Sequence, residues 1–199
     1  MAEKTTQYVI LGFLAQGEPL SGYEIRKLID ITVGHFWNES FGQLYPELQR
    51  LTKAGLIGAV ADRTSARGRA RYRITAAGKR ALTAWLERPA PQERVRNELL
   101  LKIFFGIGVD DAITLTHLQR AAERWRDDVA AFAETQSQLL AEPDAPDLVY
   151  SIVTLRHGRW VRAARRRWAE EAIELLRLAA QRGNAAVIAR VKKLEGVLP

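Results

Sequence analysis

Leu115, Leu118, Ala122, Trp125, Val129, Phe132, Gln136 and Leu139 recur at spacings of 3, 4, 3, 4, 3, 4 and 3, and no other feature of the chain restricts its fold as strongly. All but Gln136 are apolar. This period keeps one stripe of a helix turned toward one neighbour for about seven turns, which is coiled-coil packing. Asp110-Asp111 provides the start of that helix, and the segment from Pro143 to Pro146 breaks it. A second long helix is predicted from Asp147 to Gln181, with Tyr150, Val153, His157, Val161, Ala164, Trp168, Leu175 and Ala179 on one face and Leu148, Ile152 and Leu155 beside them. The two helices would form an antiparallel hairpin of about 50 Å, too long for the rest of the chain to cover its wide apolar stripes. A second copy would cover them, so a homodimer through these helices is expected. Just before the hairpin, Asn97 to Phe105 reads as a short, very apolar helix expected to be buried, closed by Gly106 and Gly108.

The first ninety residues follow shorter periods. Thr5 or Thr6 caps a first helix carrying Tyr8, Val9, Leu11, Phe13 and Leu14, and Gly17-Glu18-Pro19 ends it. Ser21-Gly22-Tyr23-Glu24 is a capping box opening a second helix through Ile25, Leu28, Ile29 and Ile31 toward Phe36-Trp37. In the third, Phe41, Leu44, Leu48 and Leu51 make an apolar stripe. Its opposite face holds Gln43, Pro46, Gln49, Arg50 and Lys53, with Tyr45 at the margin and no carboxylate near its centre. Amide, guanidinium, ammonium and phenol groups can donate to base edges and phosphates, although this pattern taken by itself is that of an ordinary amphipathic helix. Gly55 stands where a left-handed cap is needed, with Leu56-Ile57 as the apolar contact after it. Three short helices with a turn before the third compose a helix-turn-helix.

An extended pattern follows, Ile57 to Arg63 and Arg71 to Thr75 around a glycine-containing tip, which reads as a hairpin. Arg63, Arg67, Arg69, Arg71 and Arg73 face only Asp62 as a counter-charge. Next to a polar-faced third helix, a basic hairpin is the wing of a winged helix, its guanidiniums within reach of phosphates or a minor groove. Thr75 caps a fourth helix with Ala81, Leu82, Trp85 and Leu86 on its stripe, and Pro89-Ala90-Pro91 stops it. The expected fold class is therefore mainly α with a small β-hairpin. An N-terminal winged helix-turn-helix occupies residues 1–90, a C-terminal helical dimerisation and effector domain with two long antiparallel helices occupies 91–182, and residues 183–199 form an unassigned tail.

Charge agrees with this division. The net charge of +7 is concentrated in residues 1–90, where 13 Lys and Arg stand against 8 Asp and Glu, compared with 17 against 15 in the remainder. A basic first half favours a polyanionic partner. The absence of cysteine excludes disulfides and thiolate chemistry. His35, His117 and His157 are too scattered for a metal triad, and no nucleophile with a base, carboxylate pair or phosphate loop stands out, so neither a cofactor, a metal nor an enzymatic activity is expected. The longest apolar run near the start, Tyr8 to Leu14, is broken by Gly12 and too short to span a membrane, and a cytoplasmic protein is expected. Trp125, Tyr150, Trp160 and Trp168 could line an aromatic effector pocket, with core packing as the alternative, and His157 is expected as a hydrogen-bonded core residue.

Tyr8-Val9-Ile10-Leu11-Gly12, Ser21-Gly22-Tyr23-Glu24-Ile25, Gly42-Gln43-Leu44-Tyr45-Pro46-Glu47-Leu48 with Arg50-Leu51 and Gly55-Leu56-Ile57, Tyr72-Arg73-Ile74-Thr75 with Gly78, and Trp85-Leu86 together resemble the PadR family of bacterial transcriptional regulators. Glu98 to Gly106 and the two long helices resemble its branch with a larger helical C-terminal domain. The resemblance implies a dimeric DNA-binding repressor or activator, often under small-molecule control, and two-fold docking of such a dimer on double-stranded DNA calls for a palindromic operator. Carried over by position, it implies DNA contacts at Tyr23, Ser40, Gln43, Tyr45, Pro46, Arg67 and Arg69. Thr52 departs from the family, which usually has an acidic residue after Arg50-Leu51. Pro46 lacks a backbone donor and belongs in the first turns, so Ser40 to Tyr45 would enter the groove. Gln43 and Tyr45 would read bases, and Arg50 and Lys53 would meet the DNA backbone. The competing reading is a helical adaptor whose winged helix binds protein.

Overall fold

The computed structural model describes residues 5–37, 44–60, 70–92, 96–108 and 110–194. The chain divides into two compact units, Met1–Glu93 and Arg94–Pro199.

The first unit runs α1 (Thr6–Ala15), β1 (Leu20–Ser21), α2 (Gly22–Ile31), a single 3-10 turn (Val33–His35), α3 (Leu44–Lys53), β2 (Ile57–Val60), β3 (Arg71–Ile74) and α4 (Ala76–Leu86). The capping box opens α2 as its sequence requires: the Ser21 amide donates to Glu24 Oε2 at 2.7 Å, and the Glu24 amide donates to Ser21 Oγ at 3.3 Å. The helix ends at Ile31, short of the expected run toward Trp37; the Thr32 hydroxyl donates to the Leu28 carbonyl at 2.6 Å and the 3-10 turn follows. Gly55 closes α3 with a φ of +69°, while the Leu56 amide reaches the Leu51 carbonyl and the Gly55 amide that of Thr52, each at 3.0 Å. This is a Schellman cap, and it turns the chain directly into β2.

β2 and β3 pair antiparallel with Ile57 opposite Ile74 and Val60 opposite Arg71. β1 adds on the far edge of β3, Leu20 opposite Tyr72, giving the order β1-β3-β2. The sequence reading missed β1, because two residues are too few to carry an alternation. Ile10, Leu11, Leu14, Ile25, Ile29, Leu44, Leu48, Leu51 and Ile57 are fully buried together, so α1, α2, α3 and the sheet share one core. Each such side chain contributes about 1.5–3 kcal/mol of burial. Tyr8 on α1 stacks on Trp85 of α4 at 4.7 Å, with planes 9° apart. Leu86, expected on the α4 stripe, is exposed. At the start of α4 the Gly78 amide donates to Thr75 Oγ1 at 3.1 Å, and that hydroxyl is shared between the carbonyls of Gly55 and Leu56 at 2.7 and 3.0 Å. A Cβ on Gly78 would lie 2.1 Å from the Leu56 carbonyl oxygen, so only glycine fits.

The second unit contains α5 (Glu98–Phe104), α6 (Asp111–Leu140) and α7 (Leu148–Leu194). Every position of the 3-4 stripe from Leu115 to Leu139 is buried or partly buried, and Leu118 and Ala122 pack with Ala169 of α7. The expected face of α7 is corrected only in its earlier part, since Val161, Trp168, Leu175 and Ala179 are partly buried as expected. Leu155, Gly158 and Ala169 are buried, with Leu148 and Ile152 partly so, whereas Tyr150, Val153, His157 and Ala164 face outward. The N-terminal part of α7 is apolar on two sides, and spacing cannot say which side α6 covers. His157 is thus no core histidine. The expected burial of α5 is also overturned: none of its residues is buried, and Leu100, Leu101, Phe104, Phe105 and Ile107 are exposed. At Gly183 (φ +72°, ψ 179°) α7 is interrupted, and Arg190 forks onto Glu174 at 2.7 and 3.1 Å. In a continuous helix these two residues would stand about 24 Å apart, so the last segment folds back along the helix.

Candidate nucleic-acid interface

The first turns of α2 and α3 and the start of β3 converge on one recess. Ser21, Gly22, Tyr23, Tyr45, Ala70 and Tyr72 line it, and its volume is about 290 Å³. Tyr23 and Tyr45 project from it, 60% and 59% exposed. Tyr45 owes its position to Gly22: a Cβ there would meet Tyr45 Cε1 at 2.8 Å and Leu48 Cδ1 at 3.2 Å. The buried stripe of Leu44, Leu48 and Leu51 fixes which face α3 turns outward, and that face carries Tyr45, Pro46, Gln49 and Lys53, all exposed. Pro46 is the third residue of α3, within the first turn as expected. Phenols and an ammonium on a rigid face can donate to phosphates and base edges and offer apolar flanks to bases.

Ser40, Gln43, Arg67 and Arg69 lie outside the described residues. Of the wing arginines within them, Arg73 is exposed, while Arg71 donates from Nη2 to Glu24 Oε1 at 2.7 Å and so joins β3 to the start of α2. The Glu24 carboxyl is held below its ordinary value, chiefly by the Ser21 amide, against some burial, and then by the Ser21 hydroxyl and Arg71. Arg50, expected to face the DNA backbone, has a half-exposed side chain whose guanidinium also engages Glu47 and Gln7 within the unit. Sequence reasoning missed Tyr72 and Gly22 as parts of the site. Tyr72 was legible only as a half-buried strand residue, and the signal at Gly22 was a glycine on the first turn of a helix, where no turn demands one.

In the second unit the four proposed effector aromatics separate into two groups. Trp125 of α6 and Trp168 of α7 meet at 6.3 Å with planes 55° apart, beside Leu118 and Ala122. Tyr150 and Trp160 are 78% and 70% exposed, on the part of α7 nearer its start. Trp125 also borders a cleft of about 460 Å³ with Arg124, Asp127, Asp128 and Arg162, where Arg162 Nε lies 2.9 Å from Asp128 Oδ2. No helix among the described residues is long and apolar enough to cross a membrane.

Residues 10–84 match the Transcriptional regulator PadR-like family, and residues 95–177 match the family described as Virulence activator alpha C-term. The negative transcriptional regulator PadR of Bacillus subtilis (strain 168) is 39% identical over 107 residues, which are 51% of this chain and 57% of that relative, so the match spans little more than half its length. The crystal structure of Bacillus subtilis PadR in complex with operator DNA superposes with a TM-score of 0.78 at 25% identity, covering 88% of this chain and 99% of that one. Its complex with p-coumaric acid gives 0.70 at 25%, covering 87% and 99%. The Vibrio cholerae virulence activator AphA gives 0.69 at 30%, covering 86% and 97%. Each structural likeness extends through both units.

Proposed function

The chain belongs to the PadR-like family of transcriptional regulators, and we propose that it is a repressor that binds a palindromic double-stranded operator as a homodimer and is released by a small molecule. The observation that carries this reading is the pair of exposed phenols, Tyr23 and Tyr45, on the first turns of α2 and α3 beside the basic strand β3. With a core on its inner face, α3 enters the major groove by its N-terminal end. Tyr45 and Gln43 read bases there, Ser40, Tyr23 and Pro46 add further DNA contacts, and Lys53 with the wing residues Arg67 and Arg69 meets phosphates. The relative solved on operator DNA supports this pose, and the relative named a negative regulator supports repression.

Residues 1–90 then serve as the DNA-binding domain and 91–182 as the dimerisation and effector domain. Dimerisation is supported by apolar side chains that the chain leaves uncovered in its second unit: Leu101, Phe104 and Phe105 of the α5 region and Val149, Tyr150 and Val153 of α7. A patch of that kind is an interaction surface, and a two-fold pair would match a two-fold operator. The effector seat is the cleft beside Trp125, where an aromatic ring would stack on the indole and an acid group would meet Arg124. A relative solved with p-coumaric acid supports that class of ligand.

Selecting bound duplexes from a random library tests the reading. Inverted half-sites one or two helical turns apart are expected, with affinity falling steeply as salt rises. Sequence-blind binding, or none, would overturn it. Sedimentation at micromolar concentration is expected to give twice the chain mass, and a single-chain mass would remove the dimer.

A further inference from the structure

Arg50 holds a position no phosphate contact requires. Its Nε donates to both oxygens of Glu47 at 3.1 and 3.0 Å, and its Nη2 donates to Glu47 Oε1 and to Gln7 Oε1, each at 2.6 Å. The Glu47 side chain is 5% exposed, and Gln7 is buried as well. Both acceptors belong to the interior, one on α3 itself and the other 43 residues away on α1. Swinging the guanidinium out to a phosphate would strand a buried carboxylate without its counter-charge and a buried amide oxygen without its donor. The Glu47 carboxylate also cancels the cation's field at close range, so this arginine adds little attraction for a polyanion.

We propose that Arg50 is a positioning residue, and that Gln7 is its anchor: the fork from α3 to α1 fixes the roll of the reading helix and with it the aim of Tyr45. Planar geometry makes this a directional lock, since a guanidinium that satisfies a carboxylate edge and an amide oxygen together can adopt only a narrow set of orientations. Apolar packing of Leu44, Leu48 and Leu51 sets which face is inside, and the fork limits rotation about the helix axis that such packing tolerates.

The inference rests on the DNA-binding reading, and salt titration separates the two. Operator affinity of the full chain is measured across a salt series for the unsubstituted protein and for Arg50→Ala, Gln7→Met, the double variant and Lys53→Ala, with thermal melts run alongside. A residue that neutralises one phosphate changes the slope of log affinity against log salt by about 0.9 when removed. Lys53→Ala is expected to do so. Arg50→Ala and Gln7→Met are each expected to weaken binding by about tenfold at every salt concentration with the slope unchanged, as loss of a hydrogen bond to a charged group implies. The double variant is expected to be no weaker than Arg50→Ala, because both remove one lock. Gln7→Met keeps the side-chain volume and the Arg50–Glu47 pair, so it remains informative if Arg50→Ala fails to fold. A slope reduced by about one in Arg50→Ala would make it a phosphate contact and overturn the proposal. Undiminished affinity in Gln7→Met would also overturn it. If the unsubstituted chain binds no duplex, the regulator reading itself falls, and this proposal with it.

Discussion

The two units spend their apolar residues in opposite ways. In the first, nearly every large aliphatic side chain on α1, α2, α3 and the sheet is inside, with nine at essentially zero exposure. In the second, α6 and α7 bury a narrow seam around Leu118, Ala122 and Ala169, while Phe104, Phe105, Ile107, Tyr150 and Trp160 point to solvent. A unit that satisfies itself presents its surface for reading something polar. A unit that leaves rings and aliphatics outside calls for another surface, which the homodimer proposed above would supply.

Substitutions can press on each side of this contrast. Leu48→Ala, in the closed core, is expected to cost about 2–5 kcal/mol in denaturant unfolding; a loss under 1 kcal/mol would mean that the first unit is looser than its burial indicates. Phe104→Ser with Phe105→Ser is expected to cost the dimer at least about 2 kcal/mol in sedimentation equilibrium, while helix content by circular dichroism stays unchanged. An undisturbed dimer would move the interface away from α5. Gly22→Ala pushes on the Tyr45 ring and is expected to weaken operator binding about tenfold, the scale of one misplaced base contact, with little change in the melt. Equal affinity would take Tyr45 out of the reading set.

Glu24 supplies the smallest effect and a pH signature. Its folded value lies below the ordinary 4.5, so its contribution is complete above that value and drains away as pH falls through the lowered folded one. Glu24→Gln is expected to cost about 1 kcal/mol or less at neutral pH, since the group is partly exposed, and to flatten the acid limb of stability between pH 4.5 and the lowered value. A variant with the same acid profile as the parent would refute the lowered carboxyl of Glu24 in the capping box.

Local chemistry was legible in advance, and long-range choices were not. The box at Ser21 and Glu24, the glycine cap at Gly55, the threonine cap at Thr75 and the stripe on α6 each follow from neighbours a few residues apart, and each stands in the structure. Arg50 shows where such reading stops. As a cation on a polar face it reads as a DNA contact, because nothing near it in sequence announces a partner on α1. The face of the earlier part of α7 and the exposure of α5 fail for a related reason: hydrophobicity states that a side chain needs cover, and it does not state from which chain the cover comes. Tyr23 enters as a DNA contact only through family likeness and Tyr45 also as a phenol at the margin of a polar face, whereas the glycine seat beneath Tyr45 shows only in the fold.

Gly78 has a bearing on how such a protein can diversify. With the Leu56 carbonyl 2.1 Å from where a methyl would stand, descent has no freedom at the junction of sheet and α4. Tyr23, Pro46 and Lys53 stand outside the core, so their replacement leaves that junction and its packing untouched. On the reading proposed above, immobility at one glycine and latitude on the outward face would let a lineage acquire new operators through Tyr45 and its exposed neighbours while inheriting the same scaffold.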